Sequence, residues 1–376
     1  MILPLLIASI AVLMTLFYAS ILDVRERSVP VRTWYPLYII GTAAVLWYLI
    51  TIPSAWGTIA GYAALIVTIV YGIELETEDG KIPVKVFTLA IAATVLQGIA
   101  WSFLWKTLGI VAIPGFVLLV ACVWEGLSLE KEASMDENNL SSFSRWFRLW
   151  HVEIAVAIQG IAWAGLFLAG AAGTGDLLLV LVALYAELFL VFAAMNLFGG
   201  ADAIALVAIA LFVPVFPFMP LFGYPPLPFL PFSALTNAVI LNLVTPAGIA
   251  ILNLARGNRA PFPYTFFGYP VKGDTIENTF GFVMEDFSEE GGRLERHFIP
   301  IRSALRRMIK GKGRIYTKHL KEHPEKYRKE LDLYRKAGTV WISYGVPFIL
   351  PILAGFAFAL CGGDILFTML SAVGGW

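Results

Sequence analysis

The sequence predicts an all-α polytopic membrane protein of about ten transmembrane helices, with a basic cytoplasmic α(+β) segment before the last of them. Three observations carry this. The chain of 376 residues is 59% hydrophobic and 14% charged, where a soluble domain carries roughly 25% charged residues. Its mean hydropathy is +0.76. Its charge is sharply segregated: residues 255–338 hold 18 Lys/Arg and 11 Asp/Glu, and the remainder holds 9 and 16. A soluble globular chain is excluded.

A spanning helix needs about 20 mostly apolar residues. Ten runs qualify: 2–21, 33–52, 55–74, 83–105, 108–128, 149–170, 176–196, 203–222, 232–254 and 339–360. The first lacks a basic start and a small-residue cleavage site, so it reads as a retained helix. Thr51 to Ser54 make a tight turn between the second and third. Pro214, Pro217 and Pro220 interrupt the run 203–222, because each removes a backbone donor. Pro225, Pro226, Pro228 and Pro231 then make an extended connector. The expected organisation is a membrane-embedded domain over 1–254 with about nine helices, a basic cytoplasmic segment over 255–338, and a final transmembrane helix and tail over 339–376.

Basic residues set the orientation. With the N-terminus outside, the inner loops are 22–32, 75–82, 129–148, 197–202 and 255–338. They and the adjacent helix ends take 26 of the 27 Lys/Arg, all but Lys106. This threading brings two carboxylates to one face: Asp23 at the end of the first helix and Asp202 after the seventh. An ionisable residue at membrane depth is a functional-site hypothesis by default. Two apposed carboxylates do not both ionise easily, so one acts as base toward water and the other as acid toward a carbonyl. Asp23 and Asp202 are the expected catalytic pair. Gly199 and Gly200 let backbone approach a substrate beside Asp202. Asn196 is placed to orient a carboxylate. Arg25 and Arg27 are candidates to hold substrate or lipid phosphate, or are ordinary positive-inside residues.

Other polar residues compete with this site. Gly173-Thr-Gly-Asp176 and Cys361-Gly-Gly-Asp364 carry similar motifs, but the threading puts both outside. Asp176 then reads as a helix cap and Asp364 as a boundary residue. Glu187 lies 15 residues before Asp202, about 22 Å along a helix, and is expected to pair with a polar residue on a neighbouring helix such as Gln97 or Gln159. Asn237 and Asn242 read as interhelical hydrogen-bond partners. Glu74, Glu76, Glu78 and Asp79 form an acidic inner rim or a solvated loop. The face of 301, 305, 308 and 309, set among basic residues, suits an anionic lipid surface or a small cap domain. Nucleic acid is not an expected partner, since spans tether the basic segment on both sides. Cys122 and Cys361 make neither a disulfide framework nor a zinc site. Histidines occur only at 151, 297, 319 and 323, with no His-Glu-x-x-His pattern, so no metal or cofactor is expected.

Phe198-Gly-Gly-Ala-Asp-Ala-Ile-Ala-Leu206 resembles the Gly-x-Gly-Asp-type motif of the archaeal preflagellin and type IV prepilin peptidases. Leu22-Asp-Val-Arg-Glu-Arg-Ser-Val-Pro30 resembles their first-aspartate motif. The resemblance covers 1–50, 176–254 and the C-terminal third, including the last helix around Val346 to Pro351. It implies a membrane aspartic endopeptidase with Asp23 and Asp202 catalytic. Such an enzyme removes the short basic leader of class III signal peptides, from type IV prepilins or archaellins, at the cytoplasmic face of the plasma membrane. Membrane lipids surround it. A substrate helix is expected to lie against helices one, seven and eight. The chain departs from the family at Ala201, where the motif has glycine. It lacks a cysteine-rich zinc segment, and it has surplus helices within 55–170 over a family core of about six. The alternative is a proton- or solute-coupled transporter using Glu187, against which the missing internal repeat counts.

Overall fold

A computed structural model describes residues 2–374 apart from 53, 76–81, 137–139, 171, 196, 291–292, 301, 305–314 and 345–346. Among the described residues, eight helices are long and apolar enough to cross a membrane, or up to nine if one bent pair is a single span. The polytopic helical class stands, and the count of about ten is corrected.

Seven long helices follow one another: α1 (Ile2–Glu26), α2 (Tyr35–Thr51), α3 (Trp56–Ile73), α4 (Val84–Leu108), α5 (Ala112–Asp136), α6 (Ser142–Leu168) and α7 (Thr174–Ala194). The next expected span is instead a short helix, α8 (Gly200–Phe212). At 1.5 Å per residue it is about 20 Å long, short of the ~30 Å hydrocarbon thickness. It stops before Pro214 because a residue preceding proline is pushed out of the helical region. Val213 indeed adopts φ −134° and ψ 62°.

Alanines and branched residues make α8 apolar on every face, which fits only a helix buried all round. Residues 205–213 are almost wholly inaccessible, enclosed by α1, α2, α3, α7 and the helices that follow. The terminal carbonyls find a donor in α3, whose Tyr62 hydroxyl donates to Leu211 O at 2.9 Å. The extended stretch after α8 is satisfied by protein rather than lipid, as irregular backbone at that depth requires. Val215 bridges Phe229, and the Leu221 N–H donates to Cys361 O at 2.8 Å.

Two helices, α9 (Leu230–Asn242) and α10 (Val244–Ala255), together make one span. The segment after them holds a short helix α11 (Tyr264–Phe267), strands β1 (Gly268–Lys272), β2 (Gly281–Val283), β3 (Glu285–Glu290) and β4 (Arg293–Phe298), and helices α12 (Thr317–Glu322) and α13 (Arg328–Ala337). The apolar run 339–360 is not one helix. It begins as strand β5 (Thr339–Tyr344), central in an antiparallel sheet of order β1-β5-β2. Strands β3 and β4 form a separate hairpin. Glu285 ties hairpin to sheet: its buried carboxylate accepts from Arg296 at 2.7 Å and from the Trp341 N–H at 2.8 Å. A second apolar cluster built on Ile276, Leu320, Tyr334 and Ile342 fills this end.

The chain closes with α14 (Ile349–Cys361) and α15 (Ile365–Gly374), bent by 58° at their junction. Helix α14 packs closely on α9 because an added Cβ at Gly355 would strike Ala234 O and Ala238. Asn237 fixes the bend, with Nδ2 donating to Gly363 O and Oδ1 accepting from the Ile365 N–H, both at 2.8 Å. It joins elements as expected. Asn242 accepts from Thr245, within its own turn.

Candidate active site

Three helix ends meet at the sheet end of the bundle. Helix α1 arrives with Asp23 in its last turns, α8 starts with Asp202 in its first, and α14 starts at Ile349. These three helices pack on one another. The start of α14 at Ile349 lies beside the Asp23 carboxylate, and α1 packs on α14. Phe348, one residue earlier, meets Phe198 edge to face at 5.6 Å, so the start of α14 touches both motif stretches. Helices α1 and α8 pack on each other, and the Asp23 charge is near enough to act on Asp202. Asp23 Oδ2 is buried with no hydrogen-bond partner among the described residues. The sequence-expected pair is therefore brought together in space.

The glycines divide. Gly199 is the N-cap of α8, and Asp202 at the third helical position folds back over it. A Cβ on Gly199 would sit 2.5 Å from Asp202 Oδ2 and 3.3 Å from its Cγ. Glycine is required there by the carboxylate, since φ is an ordinary −66°. A Cβ on Gly200 would meet nothing within 4 Å, so Gly200 is not sterically required. Alanine at 201 fits the same logic, because the space-limited position is the first of the motif. Asn196 lies outside the described residues.

Of the two arginines, Arg25 is exposed. Arg27 turns back: its guanidinium lies 5.9 Å from the centre of the Phe280 ring, and its charge acts on Asp23. Phe280 and, nearby, Tyr316 come from the sheet segment. Sequence reasoning missed both. No motif marks them, and Phe280 lies in a stretch rich in glycine and acidic residues.

The competing motifs are structural. Asp176 sits at the third position of α7, three residues inside the N-cap, which is Gly173 rather than Asp176 itself. Its Oδ2 accepts from the Gly173 N–H at 2.8 Å and its Oδ1 from Thr58 at 2.5 Å. Asp364 caps α15, accepting from the Phe367 N–H at 2.8 Å and from Thr236 at 3.2 Å. Both are buried with their oxygens occupied. Glu187 does not pair with the glutamines. Gln97 donates to Gln159 at 2.7 Å, and Gln159 to Gly61 O at 2.6 Å. Glu187 instead faces Glu153, its Oε2 unbonded among the described residues. Glu74 is no open rim: Lys85 holds it at 2.6 Å and Tyr35 at 3.0 Å. Glu76, Glu78 and Asp79 lie outside the described residues, as does the whole face of 301, 305, 308 and 309. Among the described residues no group of three His, Cys, Asp or Glu is arranged to hold a metal.

Fold and site together define a multi-pass membrane protein with paired aspartates where three helix ends meet. Residues 260–365 match the family described as archaeal peptidase A24 C-terminus, type II. That match supports the archaeal prepilin and preflagellin peptidase family for this chain, and with it a protease. It spans the sheet segment and α14, and so holds Ile349, Phe280 and Tyr316 but neither aspartate. No curated protein and no solved structure matches the chain.

Proposed function

We propose that the chain is an aspartic endopeptidase that removes the short leaders of type IV prepilins or archaellins at the cytoplasmic face of the plasma membrane. The observation that carries this reading is the meeting of Asp23 and Asp202 at helix ends, with one Asp23 oxygen unpartnered. The family match adds the peptidase class and a prepilin-type substrate in general.

In this reading one carboxylate of the pair takes a proton from water, and the other polarises the scissile carbonyl and later protonates the leaving amine. The titration belongs to the pair. The N-termini of α8 and α14 favour negative charge where both aspartates lie. Residues 1–254 carry the dyad, the basic segment 255–338 stands on the cytoplasmic side, and lipid surrounds the exposed apolar faces. Gly199 keeps the Asp202 carboxylate in place. Asn196 remains a candidate to orient it, and Gly200 and Arg25 candidates to border the substrate.

The test is leader cleavage of co-expressed prepilins and archaellins by membranes bearing Asp23→Asn, Asp202→Asn, Asp176→Asn or Asp364→Asn. Inactivity of the first two alone is expected. Cleavage by either of those two at the wild-type rate rejects the dyad.

A further inference from the structure

Among the described residues Arg27 is the one non-glycine residue with positive φ, at 53°. It closes α1 in the left-handed conformation, its N–H bonding back to Asp23 O at 3.2 Å. Glycine takes that position freely, and a side chain there carries a steric cost. The side chain reaches the Phe280 ring, and its charge acts on both Asp23 and Tyr316.

Phe280 and Tyr316 are tied together by their chain neighbours. Thr317 Oγ1 donates to Thr279 O at 2.5 Å and accepts from the Gly281 N–H at 3.1 Å. Phe282 bridges Tyr316 and meets its ring at 4.9 Å. Phe280 is 39% exposed, and Tyr316 is half-buried, outside the apolar cluster of the segment. Burial holds the Tyr316 phenol above its ordinary range, and a phenol hydroxyl both donates and accepts. The Asp23 charge reaches it as well. The surroundings of Asp23 and Arg27 therefore include two aromatic rings, one bearing a hydroxyl.

We propose that Tyr316, with Phe280, forms the substrate subsite on the sheet side of the scissile bond, and that Arg27 is the positioning residue that holds this pair beside Asp23. The proposal rests on the dyad reading. The occupant is the extended segment of the substrate chain next to the bond that is cut.

The test is the kinetics of cleavage of a full-length prepilin by the whole enzyme in membranes. Tyr316→Ala is expected to raise KM about tenfold with kcat little changed, the loss of one aromatic contact. Arg27→Gly is expected to raise KM similarly although it relaxes the backbone, and Arg27→Lys to recover part of the loss. Wild-type KM in Tyr316→Ala and Arg27→Gly, or a fall in kcat alone, overturns the subsite. If Asp23→Asn is inactive in the same experiment, the dyad stands without it. If Asp23→Asn cleaves normally, the dyad reading fails and the subsite with it. A photo-crosslinking phenylalanine analogue at 316 keeps a ring in place should the alanine variant not fold. It is expected to capture the substrate, and an active enzyme that captures none overturns the proposal.

Discussion

Gly199→Ala is the sharpest perturbation of the site. The added methyl would lie 2.5 Å from Asp202 Oδ2. Ordinary contact begins near 3.4 Å, so the carboxylate must retreat by about 0.9 Å. The atom in the way is the tip of a side chain, so the fold survives; the exchange at an N-cap costs about 1 kcal/mol or less. A reacting group displaced by ~1 Å loses on the order of 100-fold in rate. Initial rates of leader cleavage should thus fall about 100-fold while thermal stability in detergent moves by a few degrees. Gly200→Ala, with nothing within 4 Å, should cleave within about threefold of wild type and gain up to ~1 kcal/mol in stability. Equal rates for the two alanine variants would refute the reasoning, because the Asp202 carboxylate position would then not matter.

Further outcomes are expected elsewhere. Asp176→Asn should still cleave while losing roughly 1 kcal/mol through its weakened cap and Thr58 bond, read as a lower unfolding midpoint. Tyr62→Phe removes the donor to Leu211 O at the end of α8, a loss of roughly 1–3 kcal/mol for an unsatisfied buried carbonyl, measured by thermal unfolding. Arg296→Ala should loosen the hairpin from the sheet by roughly 1–3 kcal/mol, since Glu285 keeps only the Trp341 N–H. Raised hydrogen exchange over 285–298 would report it. Glu187→Gln should leave cleavage unchanged, and loss of cleavage would link the α6–α7 carboxylates to the chemistry.

The aspartates were legible because charge asymmetry orients the helices, and orientation alone puts Asp23 and Asp202 on one side. Asp176 could be set aside in the same way despite its complete motif, and in the fold both its oxygens are taken up by Gly173 and Thr58. What stayed hidden depends on contacts distant in sequence. An apolar run does not say whether it crosses lipid or a protein interior, so α8 and β5 both read as full spans. Glu187 sought the glutamines by polarity, yet helix rotation turned Gln97 and Gln159 toward each other. Arg27, Phe280 and Tyr316 lie far apart along the chain, and only the docking of the sheet segment shows that they are neighbours.

Helix α8 is sheathed along its length, which corrects the expectation that a substrate helix lies against it. Only its tip is open to a visitor. A cutting group presented this way works like a blade set in a handle: it reaches what is brought past the end and nothing alongside. A membrane-anchored substrate can then keep its own helix wound in lipid, with every backbone hydrogen bond intact, and offer only the chain beyond it. On the proposed reading, the costly unwinding that cleavage within a bilayer demands is not needed, because Asp202 stands in the first turn of one short helix and not along it.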